Sequence, residues 1–202
     1  MDITPESCID HQSLEVRIRT LLRDLGFLTV EETYHTIMPL EIKTALQNMY
    51  NPTALYLRGR ADGVAIHPTL NIAFEWEAKT HVSTRYHDMT LEALPVCHHI
   101  AKSQLGAECI YCYHNPHTGH EKGFWSYNLP AIRELVIPGR WTDSQRLWFE
   151  VTFRKFLPGD ITIRHTESNK GSGDPFIIID ESTVNELVSW RDLILTASGG
   201  GD

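Results

Sequence analysis

The sequence predicts a mixed α/β domain, and three observations support this fold class. Apolar residues at helical spacing, among them Leu14, Ile18 and Leu22, form an early helix that Gly26 ends. Two strand-like runs joined across residues 67–69 indicate a β-hairpin. Helical and strand-like segments then alternate through the rest of the chain. The sequence has 202 residues, of which 42% are hydrophobic and 22% charged, a composition typical of one globular domain.

The individual elements follow from hydrophobic periodicity and from the turn residues between them. For the first half we predict a helix that begins after Asp10 or Ser13, an extended segment Phe27–Thr36, a helix Leu40–Met49, strands Ala54–Ile66 and Leu70–Thr80, and a helix from about Asp88 to Leu105 that bends at Pro95. For the second half we predict strands Glu108–His114, Gly123–Tyr127, Leu147–Phe156, Ile161–Thr166 and Phe176–Ile179, with helices Leu129–Leu135 and from about Ser182 to Thr196. The strand Leu147–Phe156 rests on its alternation of apolar and polar residues.

We expect a single domain over residues 1–202, with a core from about residue 10 to 135 and an unassigned C-terminal extension over 136–202. No apolar run approaches the roughly 20 residues that a membrane span needs. The N-terminal segment lacks the basic and apolar layout of a signal peptide. With four cysteines and no export signal, the sequence predicts a reducing compartment, either the cytoplasm or the host-cell interior if the protein is viral.

The formal net charge of −8 is unevenly distributed along the chain. Residues 1–41 and 171–202 each carry a net charge of −5, whereas residues 42–170 carry +2. Because nucleic-acid binding depends on local potential more than on total charge, these acidic ends do not exclude a nucleic-acid partner. The sequence contains neither G-x-x-x-x-G-K-[ST] nor G-x-G-x-x-G, which argues against nucleotide-dependent motor or redox chemistry.

The predicted hairpin concentrates carboxylates on one face. Side chains alternate along a strand, so Glu75, Glu77 and Lys79 share a face while Phe74 and its alternate neighbours take the other. A turn centred between residues 69 and 70 places Asp62 directly opposite Glu77, with Cβ atoms roughly 5 Å apart. Two carboxylates in that position repel each other, and a sheet built only for stability would avoid the arrangement.

A divalent cation reverses the sign of this interaction, because Mg²⁺ and Mn²⁺ prefer oxygen ligands. Lys79 then lies beside the metal-bound water or a phosphate. In-line attack on a phosphodiester needs a metal, the carboxylates that hold it, and a cation for the developing charge. The hairpin therefore predicts a phosphodiester-hydrolysing site that uses Mg²⁺ or Mn²⁺.

Asp62 followed by Glu77-Ala78-Lys79 on consecutive strands resembles the signature of the PD-(D/E)XK nuclease superfamily. The segment from Ser13 to Phe27 resembles the first helix of archaeal-type Holliday junction resolvases, and the similarity extends to about Tyr113. It departs from the pattern where Ala61 stands in place of the proline. The resemblance implies a restriction-endonuclease-like α/β/α sandwich with a central mixed sheet, and metal-dependent cleavage of DNA.

The resemblance also implies roles for single residues. Asp62 and Glu77 would be metal ligands, Lys79 the electrostatic and proton-handling partner, and Glu15 on the first helix a further ligand or water-orienting group. Candidate nucleic-acid contacts are Arg58, Arg60, Arg85 and Gln104. A homodimer would supply the two active sites that two cuts in a two-fold-symmetric substrate need. Two alternatives stay open: a catalytically silent nucleic-acid-binding or assembly domain, and an RNA endonuclease.

The run Cys109-x-x-Cys112-x-His114-x-x-His117-x-x-His120 contains residue types that zinc prefers. However, the intervening residues indicate a strand, and positions three apart on a strand point to opposite faces. No second C-x-x-C is present. The run is therefore expected to hold free thiols and surface histidines, and structural zinc is not expected there.

Overall fold

A computed structural model describes residues 5–31, 38–47, 49, 51–81, 88–167 and 173–199. The helices among these residues are α1 (Pro5–Asp24), α2 (Leu40–Gln47), α3 (Pro52–Arg58), α4 (Ala93–Ser103), α5 (Asp143–Thr152), α6 (Glu181–Glu186) and α7 (Trp190–Ala197). The strands are β1 (Leu28–Glu31), β2 (Gly63–His67), β3 (Ile72–Thr80), β4 (Met89–Glu92), β5 (Cys109–Asn115), β6 (His120–Trp125), β7 (Glu134–Pro138), β8 (Thr162–Thr166) and β9 (Phe176–Ile179). No helix in these ranges is both long and apolar enough to cross a membrane.

A five-stranded mixed sheet forms the centre, in the order β1-β2-β3-β5-β6. The strands β3 and β5 run parallel, whereas the other neighbouring pairs are antiparallel. Two parallel neighbours need a crossover, which the segment containing α4 provides. The hairpin of β2 and β3 therefore lies in the middle of the sheet, where its strands are paired on both sides.

Helices cover both faces of this sheet. On one face, α1 and α7 pack against alternate residues of β3 and β5, including the fully buried Trp76 and Ile110. On the other face, α4 packs with the intervening residues of β5, including Tyr111. The described residues thus form an α/β/α arrangement with a central mixed sheet, and the predicted fold class is confirmed.

A second sheet, in the order β4-β9-β7-β8, joins the core on the α4 side. Its edge strand β4 directly precedes α4 and pairs with β9 from near the end of the chain. The residues assigned to a C-terminal extension therefore complete a sheet that begins at Met89, and α7 returns to cover the central sheet.

The predicted hairpin register is confirmed, since Gly63 pairs with Trp76 and Val64 with Glu75. The predicted strand Ala54–Ile66 is wrong over its first half, because α3 occupies residues 52–58. Asn51 accepts a hydrogen bond from the Ala54 N–H at 3.0 Å, which makes it a helix cap. Asn51-Pro52 therefore begins this helix, whereas α2 ends earlier, at Gln47.

The predicted helix Asp88–Leu105 is wrong over its first turn, and Pro95 does not interrupt it. Residues 89–92 form strand β4, and Pro95 lies in the first turn of α4, where a missing N–H costs no helical hydrogen bond. The predicted first helix is also too short, since α1 begins at Pro5.

Three further predictions in the second half are wrong. No helix spans Leu129–Leu135, because β7 pairs with β8 and β9 over that segment's end. The predicted strand Leu147–Phe156 is mostly α5, which a capping box of Thr142 and Gln145 starts. The final helix is divided into α6 and α7, because Ser189 caps a new start and Val188 accepts a hydrogen bond from Gly123.

Gly63 follows Asp62 at a point where the backbone passes directly over the Trp76 ring. A Cβ there would lie 2.4 Å from the ring, and Trp76 is fully buried. We expect Gly63→Ala to lower the free energy of unfolding by about 1–3 kcal/mol through overpacking, measured by urea unfolding. Gly159→Ala is the control, since a Cβ at Gly159 meets open space. Equal losses in the two variants would contradict this packing argument.

Candidate active site

The hairpin brings the Asp62 and Glu77 carboxylates together at one end of β2. The Oδ2 atom of Asp62 accepts a hydrogen bond from the Ala78 N–H at 2.7 Å, and the Asp62 N–H donates to Oε2 of Glu77 at 3.2 Å. Each carboxylate is thus oriented by a backbone N–H from the opposite segment of the hairpin. This geometry is the one that the register predicts.

Lys79 lies on the same face and contacts Glu77, with 2.6 Å between its Nζ atom and Oε1 of Glu77. Glu77 is almost fully buried, whereas the Lys79 side chain is 26% exposed. Burial and the neighbouring Asp62 carboxylate raise the pKa of Glu77. Burial lowers the pKa of Lys79, but Glu77 and Asp62 outweigh it and hold the pKa of this amine above its ordinary value. The result is a buried carboxylate, Glu77, and a half-buried one, Asp62, beside a persistent cation that solvent can reach.

Glu92 is a further acidic residue at this site, and the sequence prediction missed it. It ends β4 and occupies the N-cap position of α4, and its charge raises the pKa of both Glu77 and Lys79. A small cavity of about 30 Å³ lies beside it, lined by Arg58, Gly59, Glu92, Leu94, Pro95 and Asp174. The sequence contained one signal for the position of Glu92, namely Pro95. A proline favours the first turn of a helix, so Pro95 indicates that a helix starts just before it.

Glu15 lies on α1, which packs on the Trp76 face of the sheet. Its carboxylate forms an ion pair with Arg19, at 3.8 Å between Oε2 of Glu15 and Nη1 of Arg19. The largest charge effects on Glu77 come instead from Asp62, Lys79 and Glu92. A role for Glu15 as a further ligand stays a prediction.

The candidate nucleic-acid contacts occupy four different settings. Arg58 ends α3, in a segment that was predicted to be a strand, and forms a buried ion pair with Asp174. Arg60 is half-buried in the segment between α3 and Asp62. Gln104 is exposed at the C-cap of α4, about 18 Å along the helix axis from Glu92. Arg85 lies outside the described residues.

The cysteines of the predicted C-x-x-C run are buried and form no disulfide. Cys109 packs in the core on the α4 side, whereas Cys112 packs in the core on the α1 side. Because the two thiols point to opposite faces of β5, they do not form a joint metal site. This is the orientation that alternation along a strand predicts.

The donor set at the hairpin suits a hard divalent cation. The Glu77 carboxylate accepts from the Asp62 N–H, and the Asp62 carboxylate accepts from the Ala78 N–H. The two supply negatively charged oxygen ligands, and the raised pKa of Glu77 reflects an electrostatic cost that a cation would remove. Asp62 and Glu77 are the residues that would hold Mg²⁺ or Mn²⁺ there.

Comparisons with known proteins give a structural similarity and no sequence match. No protein-family model matches the chain, and no curated protein is significantly similar to it in sequence. Among solved structures, the chain is similar to Hjc of Archaeoglobus fulgidus, a Holliday junction resolvase from an archaeal hyperthermophile. The TM-score is 0.46 and the sequence identity 12%, over 96% of this chain and 98% of that chain. No residue of the candidate site follows from this similarity.

Bound Mn²⁺ is expected to raise the melting temperature, because a ligand that binds only the folded state stabilises it by mass action. Glu77→Gln is expected to reduce that rise, while Glu150→Gln, which changes an exposed carboxylate on α5, serves as the control. Since Glu77 must lose its proton to bind the cation and its pKa is raised, the rise should grow with pH. Differential scanning fluorimetry measures all three effects, and an unchanged melting temperature at saturating Mn²⁺ would exclude a metal site here.

Proposed function

We propose that this protein is a metal-dependent endonuclease that hydrolyses DNA phosphodiester bonds. The observation that carries the proposal is the meeting of three groups at one end of the hairpin, namely the carboxylates of Asp62 and Glu77 and the ammonium of Lys79. Hydrolysis of a phosphodiester needs a held cation, an oriented water and compensation of charge on the phosphate, and this set can serve all three needs.

Asp62 and Glu77 hold the cation in this proposal. A bound Mg²⁺ or Mn²⁺ would act as a Lewis acid toward the phosphate and would lower the pKa of a coordinated water. The hydrogen bond from Ala78 keeps the Asp62 carboxylate in place before any cation binds, so no side-chain rearrangement has to accompany binding.

Lys79 has the geometry of an electrostatic partner. Its ion pair with Glu77 fixes the ammonium at the carboxylates, and its partial exposure leaves it accessible to a phosphate outside the sheet. Because its pKa is held above the ordinary value, the amine stays charged at neutral pH. The positive charge is therefore present before the phosphate oxygens gain negative charge in the transition state.

Of the two predicted arginine contacts that lie among the described residues, Arg60 is the better placed. Arg58 is engaged with Asp174 in the interior, whereas Arg60 lies two residues before Asp62 and is only half-buried. A phosphate contact at Arg60 would position the backbone of the nucleic acid next to the carboxylates. We assign Arg58 a structural part in supporting this segment.

A more detailed part of the proposal concerns which form of nucleic acid the protein cleaves. The likeness of the first helix to junction resolvases makes a four-way DNA junction a substrate to test beside duplex, flap and single-stranded DNA. Single-stranded RNA in the same assay distinguishes the RNA endonuclease alternative. Binding without cleavage of every substrate would favour the silent nucleic-acid-binding alternative.

Lys79→Ala is expected to reduce DNA cleavage by about 100-fold or more, because the lost interaction acts on charge that develops in the transition state. Asp62→Asn is expected to abolish cleavage through loss of a metal ligand, with partial rescue by excess Mn²⁺. Nicking of plasmid DNA with Mg²⁺ or Mn²⁺ measures both.

The matched control for these variants is Asp143→Asn, which changes a fully exposed carboxylate at the start of α5. All three variants should fold and retain DNA binding, since none of the changes opens a cavity in the core. If Lys79→Ala and Asp62→Asn both cleave DNA as fast as the unsubstituted protein, the hairpin is not the active site.

Arg60→Ala is expected to weaken DNA binding. It is also expected to reduce the slope of the logarithm of the binding constant against the logarithm of the salt concentration by about one, because one phosphate contact is lost. Fluorescence anisotropy titrations over a series of salt concentrations measure the slope. Arg146→Ala, on helix α5, is the control. An unchanged slope in Arg60→Ala would place the DNA surface elsewhere on the molecule.

A further inference from the structure

A second cluster of metal-ligating side chains lies beside the candidate active site, between β3, β5 and α4. Glu75 and Cys109 are direct neighbours across the parallel strands β3 and β5, and His99 reaches them from α4. One ligand atom from each of the three residues lies within 4.8 Å of the other two. His99 and Cys109 are fully buried, and the Glu75 side chain is mostly buried.

In both Glu75 and His99, one side-chain atom is ion-paired or hydrogen-bonded while another has no hydrogen-bond partner among the described residues. Glu75 forms an ion pair with Lys102 through Oε1, whereas its Oε2 atom is buried and has no hydrogen-bond partner among the described residues. The Nδ1 atom of His99 is hydrogen-bonded to the Tyr111 hydroxyl at 2.7 Å. Its Nε2 atom is likewise buried and has no hydrogen-bond partner by geometry within the described ranges, while the backbone of Gly59 also acts on the pKa of the ring. Buried polar atoms without partners are rare, and these two belong to the same cluster.

The ligand chemistry of this cluster differs from that of the hairpin carboxylates. A thiol, an imidazole and a carboxylate are the three ligand types that Zn²⁺ takes in proteins, whereas Mg²⁺ selects oxygen ligands alone. Ligand atoms around a tetrahedral Zn²⁺ lie about 3.5 Å apart, so the three groups would close by about 1 Å on binding. The Tyr111 hydroxyl already fixes the imidazole, as partners of metal-bound histidines commonly do.

We propose that Glu75, His99 and Cys109 form a zinc site with water in the fourth position. The Zn²⁺ ion would join α4 to β3 and β5, and it would fix Glu75 two residues from Glu77 on the same strand face. Binding converts the Cys109 thiol to a thiolate and releases its proton to solvent. This site does not depend on the proposed nuclease activity, and it shares only Cys109 with the C-x-x-C run.

The test uses the full chain with excess Mg²⁺ present, so that the hairpin carboxylates are occupied. After incubation with Zn²⁺ and desalting, mass spectrometry of the metal content is expected to give one equivalent per chain. Replacement by Co²⁺ is expected to give a thiolate-to-cobalt charge-transfer band in the near-ultraviolet. A wild-type protein that shows neither zinc retention nor this band overturns the proposal.

Variants assign the band to individual residues. Cys109→Ser is expected to abolish the band and to weaken Zn²⁺ binding by more than 10-fold. The control is Cys112→Ser, which changes a buried thiol on the opposite face of the same strand. This control is expected to keep the band and the Zn²⁺ affinity of the unsubstituted protein. Retention of the band in Cys109→Ser overturns the proposal.

Two further variants keep the proposal testable even if Cys109→Ser does not fold. Tyr111→Phe keeps the buried ring but removes the hydroxyl that fixes His99, and it is expected to weaken Zn²⁺ binding about 10-fold. Asp62→Asn is expected to leave the band and the zinc content unchanged, which separates this site from the hairpin carboxylates. A band that disappears in Asp62→Asn, or an unchanged Zn²⁺ affinity in Tyr111→Phe, overturns the assignment.

Discussion

The hydrogen bond between the Ala78 N–H and the Asp62 carboxylate fixes the geometry on which the candidate active site depends. It joins the segment before β2 to the C-terminal part of β3, and it is made only when the two strands pair in the observed register. A shift of one residue would turn Glu77 and Lys79 to the other face of the sheet, where Trp76 and Ala78 now pack. The buried apolar face therefore holds the face that carries Glu77 and Lys79 in place, because a shift of the strand would expose the apolar side chains to solvent.

The carboxylate pair at this position would be unfavourable without opposite charge beside it. Glu77 is buried next to Asp62 and forms an ion pair with Lys79, whose charge also interacts with Asp62. Since Lys79 is partly exposed, it can also contact a negatively charged phosphate that binds from the solvent side. The acidic residues Asp62, Glu77 and Glu92 outnumber Lys79 at this site, so a divalent cation and a phosphate that bind together would balance its charge better than either alone.

The hairpin could be predicted from the sequence because the residues that determine it lie close together in the chain. Alternation along β3, the turn residues and the strand register together place Asp62 opposite Glu77 without reference to any distant segment. The prediction failed where the deciding contact is distant or where a cap outweighs a pattern. Strand β4 exists because residues 176–179 pair with it, and nothing in residues 88–92 shows that partner. In α5, the apolar alternation was outweighed by the capping box at Thr142.

The same distant pairing explains how the end of the chain supports the site. Asp174 holds Arg58 in the interior, and Pro175 accepts a hydrogen bond from the Ala93 N–H at 2.8 Å, at the first residue of α4. This N-terminal end of α4 carries Glu92, whose charge acts on Glu77 and Lys79, and the body of α4 carries His99. Residues 174–179 therefore determine where α4 begins and what its first turn faces. The C-terminal segment, which the sequence left unassigned, thus holds in place the helix that borders both the hairpin carboxylates and the proposed zinc ligands.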